Sequence, residues 1–156
     1  MVYAIDETFP VADIEDSFSE VIFGDVLYDF SCYRSLLLDT VEYQGMYLPV
    51  HADNYQEAVD YLSQGFSSPL AEAIATCYFT DSTPPGYFQI RPMDSIPILT
   101  PGDRSRTWIY LQTNSDAQVY CTFNDCYEPG DRYLYSLSLK KFNSRWIIHS
   151  INLYQL

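Results

Sequence analysis

Between Ala12 and about Leu38 apolar side chains return every three or four residues, at Ile14, Phe18, Val21, Ile22, Phe30, Tyr33, Leu36 and Leu37, while Asp13, Glu15, Asp16, Glu20 and Asp29 fill other positions. This period lets a helix keep one continuous apolar stripe, so the segment predicts an amphipathic helix, broken near Gly24. A second helix is signalled by Asp53 or Asn54 as N-cap and by Gln56 or Glu57 as the answering half of a capping box. It runs through Ala58, Val59, Tyr61 and Leu62 and ends at Gly65. Ser68-Pro69 then opens a third helix over Leu70 to about Phe79, because serine can accept from the free first-turn amides and proline there gives up no bond.

Past the turn signal Asp81-Ser82-Thr83-Pro84-Pro85-Gly86 the period changes to two. Tyr87–Arg91 and Ile96–Leu99 predict short strands, the second confined to a sheet edge by Pro97. Residues 107–112, 118–124, 132–142 and 145–154 alternate more clearly, and Pro101-Gly102, Asn114-Ser115-Asp116, Glu128-Pro129-Gly130-Asp131 and Asn143-Ser144 punctuate them as hairpin turns. Helices segregated from strands in this order predict one α+β domain over 1–156. Its helical part spans about 11–80 and packs on a curved antiparallel sheet of four to six strands spanning about 87–154.

Charge adds a location to this layout. The 156 residues carry 21 acids and 8 bases, a formal −13. Residues 1–78 hold 14 acids and the single base Arg34, while residues 79–156 hold seven of each, so the whole excess lies in the helical half. Eight scattered bases in such a field cannot neutralise phosphates, which excludes nucleic acid and anionic membrane surfaces as partners. Aromatics make up 17% of the chain, too many for a disordered acidic tail, and Tyr supplies rigid amphipathic contact area. An acidic face on the first helix, built from Asp13, Glu15, Asp16, Glu20, Asp25 and Asp29, is therefore the candidate contact surface for a basic protein; a merely solvating helical surface is the competing account.

Candidate chemistry is sparse. His51 follows Leu48-Pro49-Val50 in an expected loop, and His149 sits in an alternating strand beside Ile147 and Ile151, so neither has a local nucleophile motif. No catalytic residue, metal ligand set or cofactor cradle is expected: the glycines stand singly, and Asp13-Ile14-Glu15-Asp16 lacks the glycine and spacing of a calcium loop. Cys32 and Cys77 are expected as buried thiols on apolar helix faces. Cys121 and Cys126 flank four residues and are open to a small-loop disulfide in an oxidising compartment. The start Met1–Glu7 has no signal-peptide pattern, and no run reaches the roughly 18 apolar residues of a span. The residues leave a cytoplasmic location open.

The stretch Tyr47-Leu48-Pro49, Asn54–Phe66 and Ser67-Ser68-Pro69-Leu70-Ala71 resembles the segment that characterises the bacterial DL-endopeptidase inhibitor (IseA-type) family. The likeness continues through Gln89–Asp94 and Lys141–Ile148, and the closing hairpin also resembles the last strands of nuclear-transport-factor-like, cystatin-like domains. The first resemblance implies a secreted or extracytoplasmic, non-catalytic domain whose partner is a cell-wall peptidase, its leader absent from this chain. The second implies, as an alternative, a small-molecule or enzymatic pocket between sheet and helices.

Overall fold

A computed structural model describes residues 9–82 and 86–156; the side chains of residues 9–16 and of Ser82 fall outside the description, and with them the contact positions expected at Asp13, Glu15 and Asp16. The architecture is α+β, as the periodicity predicts. Helix α1 (Phe9–Leu38) is 30 residues long and runs unbroken through Gly24, contrary to the expected interruption. A glycine in a helix interior costs about 1 kcal/mol relative to alanine. Burial of Ile22 and Phe23 before it and of Val26, Phe30, Tyr33 and Leu36 after it stabilises the helix by about 2 kcal/mol per side chain and outweighs that cost.

The half expected to be helical also contains a hairpin. Strands β1 (Thr40–Tyr43) and β2 (Met46–Pro49) pair antiparallel around Gln44-Gly45, both at positive φ (50° and 82°), the two-residue turn whose twist suits a tight hairpin. Helix α2 (Tyr55–Leu62) follows with its expected cap: Asn54 Oδ1 accepts from the Glu57 amide at 2.9 Å, and Glu57 Oε1 accepts from the Asp53 amide at 2.8 Å. Helix α3 (Ser68–Tyr78) has Ser67 as its N-cap. The Ser67 hydroxyl leaves the helix uncapped and donates to the His149 carbonyl at 3.3 Å. A short hairpin, β3 (Phe79–Ser82) with β4 (Tyr87–Ile90), forms a separate two-stranded sheet beside the first hairpin, and the Tyr43 and Tyr87 rings meet at 5.4 Å.

The main sheet runs β5 (Thr107–Leu111), β6 (Asp116–Asn124), β7 (Arg132–Phe142), β8 (Arg145–Gln155), all antiparallel in sequence order. Its last turn is Asn143-Ser144, both at positive φ, so Arg145 is the first residue to leave it. The register shifts between Ser138 and Leu139, leaving His149 as an extra residue between Ile148 and Ser150. That bulge reverses the alternation: Trp146 and Ile148 face the core before it, and Ile151 and Leu153 pack against the core after it. His149 is therefore exposed and no longer shares a face with Ile151.

Phe30 of α1 packs against Phe66 (6.0 Å) and stacks on Tyr135 of β7 (6.1 Å). The corner after α2 extends the sheet edge: Ile148 donates to the Gly65 carbonyl at 3.0 Å and Ser67 donates to the Ile148 carbonyl at 2.9 Å. Ile96–Leu99, expected as an edge strand, forms no ladder. Its segment crosses as a strap held by tyrosine hydroxyls: Tyr33 accepts from the Ile96 amide (3.2 Å), while Tyr78 and Tyr127 donate to the Asp94 and Ser95 carbonyls (3.1 and 3.4 Å).

Candidate functional site

The described acidic positions on α1, Glu20, Asp25 and Asp29, differ in their surroundings. Glu20 is exposed and accepts from Arg104 Nε at 3.0 Å. Asp25 is half-buried and accepts from the Trp146 amide at 3.0 Å, fastening α1 to the start of β8. Asp29 is wholly buried, with 0% of its surface exposed, so it cannot belong to a solvent-facing contact row. Its Oδ1 accepts from Arg145 Nη2 at 2.8 Å, and its Oδ2 has no hydrogen-bond partner among the described residues. Burial pushes the Asp29 carboxyl up to about 8, and the Arg145 guanidinium only partly offsets that. Arg145 also donates to the Gln64 carbonyl at 2.9 Å and lies over the Tyr28 ring at 4.4 Å.

A signal for Asp29 was present in the chain. Ile22, Val26, Asp29, Tyr33 and Leu36 follow one another at steps of four and three, so Asp29 occupies the apolar stripe itself. A carboxylate in such a stripe requires a cation or donors, and Arg145, placed by the turn, supplies them.

Apart from Glu20, the exposed acids described in this half lie elsewhere. Asp39, Glu42, Asp53, Glu57, Asp60 and Glu72 all face solvent on the β1–β2 hairpin, α2 and α3. His51, Glu57, Asp60, Tyr61 and Gln64 line a shallow hollow of about 360 Å³. In it His51 Nε2 meets Asp39 Oδ2 at 2.8 Å and its ring stacks on Tyr61, 4.8 Å between centroids and 18° between planes. Tyr55 joins α2 to α3, donating to the Glu72 carbonyl at 3.1 Å and meeting Thr76 Oγ1 at 3.0 Å. Val41, Tyr43, Tyr47 and Val50 are exposed on the adjoining hairpin. The signal for this surface was the hairpin pattern around Gln44-Gly45, with alternating Val41, Tyr43, Met46 and Leu48.

The remaining chemically able groups are dispersed. His149 borders a cleft of about 300 Å³ with Lys140, Phe142, Ile147, Phe66 and Ser67. All four cysteines are free thiols: Cys32 and Cys121 are buried, Cys126 is half-buried, and Cys77, expected inside, is exposed. Cys77 lies off the buried α3 positions Ala71, Ile74, Ala75 and Tyr78, which explains its exposure. Among the described residues no three His, Cys, Asp or Glu side chains group as a metal site, and no helix is long and apolar enough to cross a membrane. The Tyr135 hydroxyl, like Asp29 Oδ2, is buried without a partner among the described residues.

No family model and no curated protein matches this sequence. What the described residues offer is an exposed acidic surface with a hollow lined by the stacked His51 and Tyr61 rings.

Proposed function

We propose that the protein is a non-catalytic, extracytoplasmic binding domain that presents its acidic, tyrosine-bearing surface to a basic protein. The partner class is a cell-wall DL-endopeptidase, which the resemblance of Tyr47–Ala71 suggests. The observation that carries this reading is the hollow around His51, where exposed Asp39, Glu57 and Asp60 surround a stacked His51–Tyr61 pair in a half of the chain whose only base is Arg34. Unscreened carboxylates of one sign steer a basic partner and raise its association rate.

The test is biolayer interferometry against the purified catalytic domain of an NlpC-type cysteine peptidase, at about 20 mM and about 300 mM salt, with lysozyme as an unrelated basic control. Binding at low salt that weakens at high salt and exceeds that of lysozyme supports the reading. No binding at low salt removes it.

A second reading, a small-molecule site between helices and sheet, draws on the unpartnered Tyr135 hydroxyl. The Phe30 and Phe123 rings packed on Tyr135 at 6.1 and 5.7 Å weigh against it. Loss or shift of the Tyr135 ring resonances in a fragment screen would favour it, and unmoved resonances would set it aside.

A further inference from the structure

The outer face of the four-stranded sheet carries a group of rings and amides with no charged side chain among them. Trp108 stands opposite Tyr120 across the β5–β6 ladder and Tyr110 opposite Gln118, and β7 continues these rows with Ser136 and Ser138. The Tyr110 and Tyr120 rings meet edge to face at 5.9 Å, and Gln118 Nε2 donates to Ser138 Oγ at 2.9 Å. Trp108, Tyr110, Gln112, Gln118, Tyr120 and Leu134 line a shallow trough of about 470 Å³, with Trp108 49% and Tyr110 55% exposed. None of these six side chains is charged at neutral pH. At the border Asp116 and Lys140 neutralise one another at 3.1 Å.

On a chain of formal charge −13, a neutral trough selects an occupant by shape and hydrogen bonding. A second copy is disfavoured as that occupant, because two such chains repel as they approach. Exposed rings stack on flat C–H faces, and amides and hydroxyls that both donate and accept satisfy a ligand rich in hydroxyls. We propose that this face binds an uncharged glycan of flat, β-linked pyranose rings, with Trp108 and Tyr110 stacking on the sugar faces and Gln112 and Gln118 bonding its hydroxyls. The site lies on a different element from the acidic hollow, and its occupant is indifferent to salt.

Isothermal titration with cellohexaose and with chitohexaose, and with maltohexaose as the α-linked control, tests this. The expected result is a Kd of about 0.1–1 mM for at least one β-linked hexasaccharide, equal at low and high salt, and a weaker response to maltohexaose. Trp108→Ala lowers the affinity about tenfold or more, whereas Trp108→Phe, which keeps a ring, retains most of it. The ligand also shifts Trp108 emission while Trp146, 2% exposed, stays unchanged. No heat with either β-linked sugar at about 5 mM, undiminished binding by a folded Trp108→Ala variant, or a dimer in sedimentation that Trp108→Ala dissociates would each overturn the proposal. Because the acidic surface is tested by a salt-dependent protein interaction, failure of one does not mimic failure of the other.

Discussion

Arg145 donates to Asp29 across 116 residues, tying the middle of α1 to the residue that leaves the β7–β8 turn. Asp25 accepts from Trp146 one residue further on, so two carboxylates one helical turn apart hold the first two residues of β8. Among the described residues, removing Asp29 leaves the guanidinium the Gln64 carbonyl and the Tyr28 ring. Asp29→Ala should cost about 2–3 kcal/mol in urea unfolding, and Asp29→Asn, which keeps an acceptor, about half of that. Equal stability of all three proteins would mean the pair holds nothing.

The same carboxyl gives stability a pH dependence. Its pKa is raised to about 8 by burial, against about 3.9 in an unfolded chain, so between those values the folded state retains a proton that the unfolded state releases. The contribution is fully present below about 4 and is lost as pH rises through about 8. The melting temperature of the wild type, measured relative to Asp29→Asn, should therefore fall from pH 5 to pH 9, both on the order of the limits just given. A difference that stays flat over that range would show that Asp29 is ionised in the fold.

Gly65 is set against the same residue. A Cβ built there would lie 2.6 Å from Asp29 Cα and 3.0 Å from its carbonyl oxygen, both backbone atoms, so Gly65→Ala must push α1 away from the corner that pairs with Ile148. We expect a loss of about 1–3 kcal/mol and faster hydrogen exchange at the Ile148 amide. Unaltered stability would show that the corner is slack.

The local pattern exposed the first helix, though not its passage through Gly24, the N-cap of α2 and the four strands of the main sheet, because each is fixed by side chains within a few residues. What it hid depends on distant partners. Ile96-Pro97-Ile98-Leu99 looks like a strand, yet tyrosines from α1, α3 and the β6–β7 loop hold its strap. His149 seems to share a face with Ile151 until β7 imposes the bulge. One acidic candidate on α1 is misplaced for a related reason: charge composition locates a half of the chain, but only the stripe at Ile22, Val26, Tyr33 and Leu36 reveals that Asp29 turns inward.

The thiols should separate by burial. Exposed Cys77 should alkylate first and half-buried Cys126, its thiol pushed up by burial, more slowly. Burial also pushes up the Cys32 and Cys121 thiols, which should react only on unfolding. Peptide mass spectrometry over a timed iodoacetamide reaction checks the order, and early labelling of Cys32 would contradict the packing of α1.

The account turns on the acidic surface around His51 and its steering of a basic partner. The most direct measurement is the association rate with an NlpC-type peptidase domain for the wild type and for the triple variant Glu42→Lys, Asp60→Lys, Glu72→Lys, all exposed positions. The account predicts that kon falls about tenfold or more at low salt, that the two proteins converge at high salt, and that koff changes less. An association rate unchanged by reversing these three charges would contradict it.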